Sequence, residues 1–239
     1  IFLLLAGLTL AAALGIFAVV PEKTAGSEGV GTLRQQLGGI GEVFSSRAFW
    51  RITPWAVAGQ SVYLSLIGLW AGPWLRDIAG FGRIAVANTL MLVSLAMIIG
   101  YFSFGTLAAR LSRRGIPTAR VAAAGMTLFL GIQVLLVLQP VSMAAPLWVL
   151  FGFFGTACIL PYAVLSQHFP ARLAGRVNTS LNLLVFLAAF AAQWGVGIIV
   201  GLWLPTATGG YDPEGYRWGF GLLVGLQTLG AGWYWKSAG

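Results

Sequence analysis

Long charge-free apolar runs alternate along the chain with short segments that carry the charges. Ile52 to Leu75 lies between Arg51 and Arg76, Ile84 to Ala109 between Arg83 and Arg110, and Trp218 to Trp235 between Arg217 and Lys236. A helix needs about 20 predominantly apolar residues to cross the hydrocarbon core of a bilayer, so each run predicts one crossing. The charge-free stretch between Arg120 and Arg172 is too long for one span, and Pro140 and Pro146 divide it into Val121 to Leu138 and Leu147 to Gln167. Val177 to Leu204, ended by Pro205, is a sixth span, and Ile1 to Val20, ended by Pro21 and Glu22, is a seventh. That first run has no basic residue ahead of it and nearly full membrane length, which suits a spanning helix better than a signal peptide. It begins with Ile, so the chain is expected to be a fragment of a longer one.

Composition agrees with this pattern. The apolar set makes up 58% of the 239 residues and charged residues only 8%, against roughly 25% charged in soluble domains, and a water-soluble fold is excluded. The net charge of +8 would suggest a nucleic-acid partner in a soluble protein. Here the basic residues lie between apolar runs and report topology instead, and no nucleic acid is expected. Lys23, Arg34, Arg47, Arg51, Arg110, Arg113, Arg114, Arg120, Arg172, Arg176 and Lys236 fall on one side; Arg76, Arg83 and Arg217 fall on the other. The acidic residues divide evenly, Glu22, Glu28 and Glu42 against Asp77, Asp212 and Glu214. The bias in Lys and Arg places residues 21–51 and the C-terminus in the cytoplasm.

The only long polar segment is the connector 21–51, in which Leu33, Leu37, Ile40 and Phe44 recur at helical spacing. It reads as a tether whose amphipathic part lies on the membrane surface. One cysteine, Cys158, and one histidine, His168, exclude a disulfide framework and any Cys-based or multi-histidine metal site, and no metal or cofactor is expected. The spans hold no central Asp, Glu, Lys, Arg or His, so the acid and base pair of a membrane-embedded enzyme is missing. His168 sits at a helix end beside Phe169 and Pro170 and reads as an interfacial residue.

After the third span comes Gly105-Thr106-Leu107-Ala108-Ala109-Arg110-Leu111-Ser112-Arg113-Arg114-Gly115. This resembles the cytoplasmic loop motif G-x-L-a-D-R-x-G-R-R of the major facilitator superfamily, matching at Gly105, Leu107, Ala108, Arg110, Arg113 and Arg114 and departing at Ala109 and Ser112. Phe169 to Thr179 is similar to loops before the eleventh helix of that family. The resemblance implies an all-α integral membrane protein with about seven transmembrane helices. Residues 1–20 would be the last helix of a truncated N-terminal bundle, 21–51 the connector, and 52–239 a C-terminal six-helix bundle. It implies alternating-access transport of a small solute, with the missing N-terminal half and the lipid bilayer as partners. Gly105, Arg110, Arg113 and Arg114 would then form a gating loop, from which the family's Asp is absent. The Ala, Gly and Arg-rich style suggests a bacterial inner membrane. A non-transporting sensor on the same fold is the alternative.

The remaining polar residues of the spans are neutral. Gln60, Tyr63, Trp70 and Trp74 fall within a quarter-turn sector at about 100° per residue. By periodicity alone packing or an interfacial aromatic belt explains them; by resemblance this is the seventh helix, which faces the cavity, and Gln60, Tyr63 and Trp70 become substrate-binding candidates. Tyr162 shares a face with Gly155, Cys158 and Ser166 on what would be the tenth helix, and contacts either substrate or a neighbouring helix. Asn178, Asn182 and Gln193 align on the next span, where amides hydrogen-bond across to other helices. The pairs Gly197 and Gly201, and Gly221 and Gly225, are spaced for close helix contact. Amides and aromatic rings without a central charge favour a neutral or amphipathic solute, with an organic cation also open.

Overall fold

Each apolar run folds as a helix, and no strand occurs among the described residues. The structure, a computed structural model, describes residues 2–19, 33–207 and 209–237, apart from the side chains of residues 33–37. Helix α1 is Phe2–Val19 and α2 is Leu33–Phe44. Then follow α3 (Arg47–Asp77), α4 (Arg83–Ser112), α5 (Thr118–Val137), α6 (Val141–His168), α7 (Ala171–Val200) and α8 (Pro213–Lys236). The chain divides into a unit Ile1–Gly38, in which none of the described side chains of α1 is buried, and a larger unit Gly39–Gly239 that contains α3 to α8.

Several boundaries differ from the sequence reading because charges bound the apolar run and not the helix. Arg47 and Arg51 belong to the first turns of α3, and Arg172 and Arg176 to those of α7, which starts directly after Pro170. Long basic side chains extend past the hydrocarbon layer while their backbone continues the helix. Among the described residues six helices, α1 and α3 to α7, are long and apolar enough to cross a membrane, where seven were expected. The seventh, α8, is a 24-residue helix with the length to cross, about 36 Å at 1.5 Å per residue. Its glycines, Gln227 and Thr228 dilute its apolar character.

The connector stripe is altered too. Residues 20–32, with Glu22, Lys23 and Glu28, and the side chains of Leu33, Arg34 and Leu37 lie outside the described residues. Ile40 is 41% exposed, whereas Val43, one helical step off the expected stripe, is fully buried with Phe49, Leu173 and Val177. The same turn is tied to α7 by a two-pronged contact in which Arg172 donates to both oxygens of Glu42, at 2.7 and 3.0 Å.

Within the larger unit the six helices form two sets of three. Helix α4 packs on α6 as α7 packs on α3; α5 lies against α6 as α8 lies against α3; and α5 and α8 meet each other. Trp74, at the end of α3, packs on Trp148 near the start of α6, while Ile52 and Val164 line one crevice at the other end, so α3 and α6 run antiparallel. The bundle is thus an inverted repeat in which α3 and α6 are the inner pair: their most apolar windows are 56% buried, against 22% for α4 and α7.

An aromatic column fills the core between them. Phe129 packs on Phe151 at 4.8 Å between centroids, Trp148 on Phe151 at 5.2 Å, and Tyr63 touches both phenylalanines. Trp74, for which a membrane-interface belt was one reading, is fully buried at the end of this column. Helix α4 ends as its sequence dictates. Gly115 takes a φ of 80°, and Ile116 N–H turns back to the Leu111 carbonyl at 3.0 Å, satisfying an end carbonyl through a left-handed glycine.

Candidate functional site

Both inner helices are interrupted. In α3 the residues Leu66–Trp70 wind as a π-helix, and in α6 Thr156–Ile159 wind as a 3₁₀-helix. The local sequences explain this. Proline has no N–H to return to the carbonyl four residues back, so Pro73 leaves Leu69 without its α-helical partner and Pro161 does the same for Ala157. Gly68 lies within the first break, and Gly155 immediately precedes the second. This repeated glycine-then-proline signal is legible in the sequence and was missed there; paired interruptions in the two halves of an inverted repeat mark the binding region of many transporters.

Glycine at the second break permits the helices to cross closely. A Cβ on Gly155 would lie 2.2 Å from the Tyr63 ring of α3, and one on Gly100 of α4 would lie 2.5 Å from Thr156 Oγ1. The glycine pairs expected to make close contacts do not provide these crossings. A Cβ on Gly221 or Gly225 would meet nothing within 4 Å and one on Gly201 would meet only its own helix, whereas one on Gly197 would rest at 3.5 Å on the Trp70 ring of α3. Contact glycines are selected by where helices cross, which spacing along one helix does not specify.

The three candidates of α3, Gln60, Tyr63 and Trp70, are all buried, as is Trp74. The π segment winds less per residue than an α-helix, so the quarter-turn sector computed for a regular helix does not persist past Leu66. Tyr63 packs in the aromatic column, donates to the Gly152 carbonyl at 3.3 Å, and interacts with the phenol of Tyr101 on the exposed side of α4. Trp70 lies at about 6.1 Å from both Tyr211 and Tyr216. Gln60 is 7% exposed, and its amide has no hydrogen-bond partner among the described residues.

Tyr162 and the amides of α7 come together. The Tyr162 hydroxyl donates to Asn182 Oδ1 at 3.1 Å, and Ser166 donates to Asn178 Oδ1 at 3.0 Å. Residues 162 and 166, like 178 and 182, are one helical turn apart, so the two bonds are rungs between antiparallel helices. Each asparagine accepts one hydroxyl and keeps its NH2 group without a partner among the described residues. Gln193 stands apart from this seam, on a cavity of about 460 Å³ beside Leu69 and Trp70 of the π segment. Sequence reading passed over Gln133 and Gln227, which are buried and exchange two amide hydrogen bonds between α5 and α8, equivalent helices of the repeat. The only sequence signal was a lone glutamine within each apolar run.

Gly105, Arg110, Arg113 and Arg114 are exposed at the end of α4, and among the described residues none of these arginines forms a salt bridge. The opposite end of the bundle is organised around Asp77. Its side chain is 2% exposed and accepts from Arg76 Nε at 2.6 Å, Tyr216 Oη at 2.8 Å and the Tyr211 backbone N–H at 3.1 Å. Gly210 permits this approach, since a Cβ there would lie 2.7 Å from Asp77 Oδ1.

The interrupted inner helices therefore carry phenols, amides and indoles, and among the described residues the two breaks themselves contain no Asp, Glu, Lys, Arg or His. Such a surface is suited to hydrogen bonding and stacking. The sequence profile described as Major Facilitator Superfamily matches residues 1–193. No curated protein and no solved structure matches the chain. With an all-helical membrane bundle and a family match over most of its length, the chain belongs to the major facilitator superfamily of transporters.

Proposed function

We propose that the Gly39–Gly239 unit is the C-terminal one of two six-helix bundles that rock about a shared solute site, carrying a small neutral, zwitterionic or amphipathic solute by alternating access. The observation that carries this reading is the pair of interruptions in α3 and α6 at the centre of an inverted repeat. An anion leaving water for such a site needs cationic or dipolar partners, and the basic residues of this bundle stand at or near helix ends.

Tyr162, Asn182 and Gln60 are the proposed solute contacts, because the Asn182 NH2 group and the Gln60 amide have no partner among the described residues and the Tyr162 hydroxyl, which donates to Asn182, can still accept a hydrogen bond. Tyr63 and Trp70 position them from within the aromatic packing, and Tyr101 joins the set through Tyr63. The eleven-to-three distribution of Lys and Arg supports a cytoplasmic position for the basic end, and the Ala, Gly and Arg-rich composition supports a bacterial inner membrane.

Uptake into proteoliposomes by the intact protein tests the reading, with a neutral sugar, a zwitterion, an organic cation and a dicarboxylate as solutes. Saturable flux of one of the first three is expected, reduced at least tenfold by Gln60→Ala or Asn182→Ala, a loss of about 1.4 kcal/mol. Saturable dicarboxylate flux that survives neutralisation of every basic residue in the other bundle overturns the solute class. Absence of flux with any solute, together with signalling on solute addition, overturns transport itself.

A further inference from the structure

Two cavities of the larger unit meet at the basic end. One is a groove of about 860 Å³ between α3, α7 and α8, with an almost wholly apolar lining that includes Val57, Ala188, Ala191 and Leu226. The other, of about 660 Å³, is lined by Arg47, Arg51, His168 and Ser45, and by Tyr234 of α8. Trp50 and Trp233 line both. Their side chains are joined through the backbone, Trp233 Nε1 donating to the Trp50 carbonyl at 2.8 Å.

Arg51 gives the second cavity its character. Its guanidinium carbon lies 5.8 Å from the centroid of the Tyr234 ring, its Nε is buried, and it has no hydrogen-bond partner among the described residues. Arg47 also lacks a salt bridge there, and no Asp or Glu lines either cavity. A partly buried guanidinium that lines a cavity without a carboxylate partner offers charge-assisted hydrogen bonds to an anion that enters it. The required anion must carry a long apolar body into the adjoining groove and cross the level of two indoles, which favour the boundary between hydrocarbon and headgroups.

We propose that this paired cavity is a binding site for one anionic phospholipid, its phosphate on Arg51 and Arg47 and an acyl chain in the groove between α3, α7 and α8. Charge complementarity and the continuity of the two cavities select the occupant. A soluble phosphate satisfies only the arginines, and a zwitterionic lipid brings a cation toward His168 and Arg47. The site lies on residues other than the proposed solute contacts and does not depend on them.

Retention of lipid by the intact protein, measured by native mass spectrometry after incubation with mixed phosphatidylglycerol and phosphatidylcholine vesicles, tests the proposal. Phosphatidylglycerol is expected to be retained preferentially, and Arg51→Gln to weaken it about fivefold, as one basic residue near a membrane surface does. Arg51→Lys should restore most of the preference. Ala191→Trp, which fills the groove, should reduce retention with both arginines intact, and Arg83→Gln at the opposite end should change nothing. Equal retention of both lipids, an unchanged preference in Arg51→Gln, or full displacement by glycerol 3-phosphate overturns the site. The readout is bound lipid, so absence of solute flux leaves it unaffected.

Discussion

At the end of the bundle that carries Asp77, a nearly inaccessible carboxylate is surrounded by donors from α3, α8 and the loop before it. The same end is tied again where Gln139 donates to the Pro213 carbonyl at 2.7 Å and Asp212 caps α8 by accepting from Glu214 N–H at 2.8 Å. At the other end Arg47, Arg51, Arg110, Arg113 and Arg114 have no carboxylate partner among the described residues. Charge that is satisfied inside the bundle holds helices together. Charge left unsatisfied is available to groups outside it, whether a lipid phosphate or the other half of a transporter. Substitutions at the first end should therefore change stability, and those of the arginines without a carboxylate partner at the second, unlike Arg172 with its Glu42 partner, should change binding and movement.

The largest effect is expected at Asp77. Asp77→Ala removes an acceptor shared by a backbone N–H and a buried phenol, and should cost about 3 kcal/mol, the upper range for hydrogen bonds to a charged group. Arg76 contributes little to this because its side chain is 60% exposed. Thermal unfolding of the purified protein in detergent measures it; a melting temperature equal to that of the wild type would remove the contrast between the ends. Between the ends, Gly155→Ala forces a methyl group against the Tyr63 ring and should cost about 1–3 kcal/mol by overpacking. The same unfolding assay reads it, and full stability would mean that α3 and α6 slide past each other freely.

A smaller effect is expected at the buried amide pair. Gln133→Leu alone should cost about 1 kcal/mol, somewhat above the membrane average of about 0.6 because Gln227 is then left unpaired. The double variant Gln133→Leu with Gln227→Leu should return toward wild-type stability; a double variant worse than either single one would contradict this account. The smallest stability effect belongs to Arg113→Gln with Arg114→Gln, within about 0.5 kcal/mol of wild type as for exposed substitutions. There the uptake rate should fall while solute Kd holds. A lowered affinity with an unchanged rate would place these arginines in the solute site.

The spans were legible to within about six residues because burying a hydrogen-bonded backbone in hydrocarbon demands long apolar helices wherever they pack. Arg83 to Ser112 is nearly the run that Arg83 and Arg110 bracket, and Phe2 to Val19 nearly the run that Pro21 and Glu22 end. Pairing was less legible. Asn178 and Asn182 are amides on a helix by sequence, but only the fold chooses Ser166 and Tyr162 as their partners. Trp70 and Trp74 were phased with Gln60 by assuming a regular helix, and the π segment between them invalidates the phase. The prolines that accompany both interruptions were in plain sight, yet without the repeat nothing set Pro73 beside Pro161 as equivalents.

Hydropathy, charge and the loop after the third span determined by themselves that this chain crosses a membrane as helices and belongs with transporters. These properties depend on transfer free energy and on motifs that are local in sequence. Only the tertiary structure decided that α3 and α6 form the inner pair, that Tyr63 lies within packing while Gln60 keeps a free amide, and that Asp77 is enclosed while Arg51 is unpaired. Whether a polar group is satisfied depends on atoms far along the chain, and apolar surface does not identify them: one lipid-soluble helix face is nearly as good as another until crossing points, small residues and hydrogen bonds select among them.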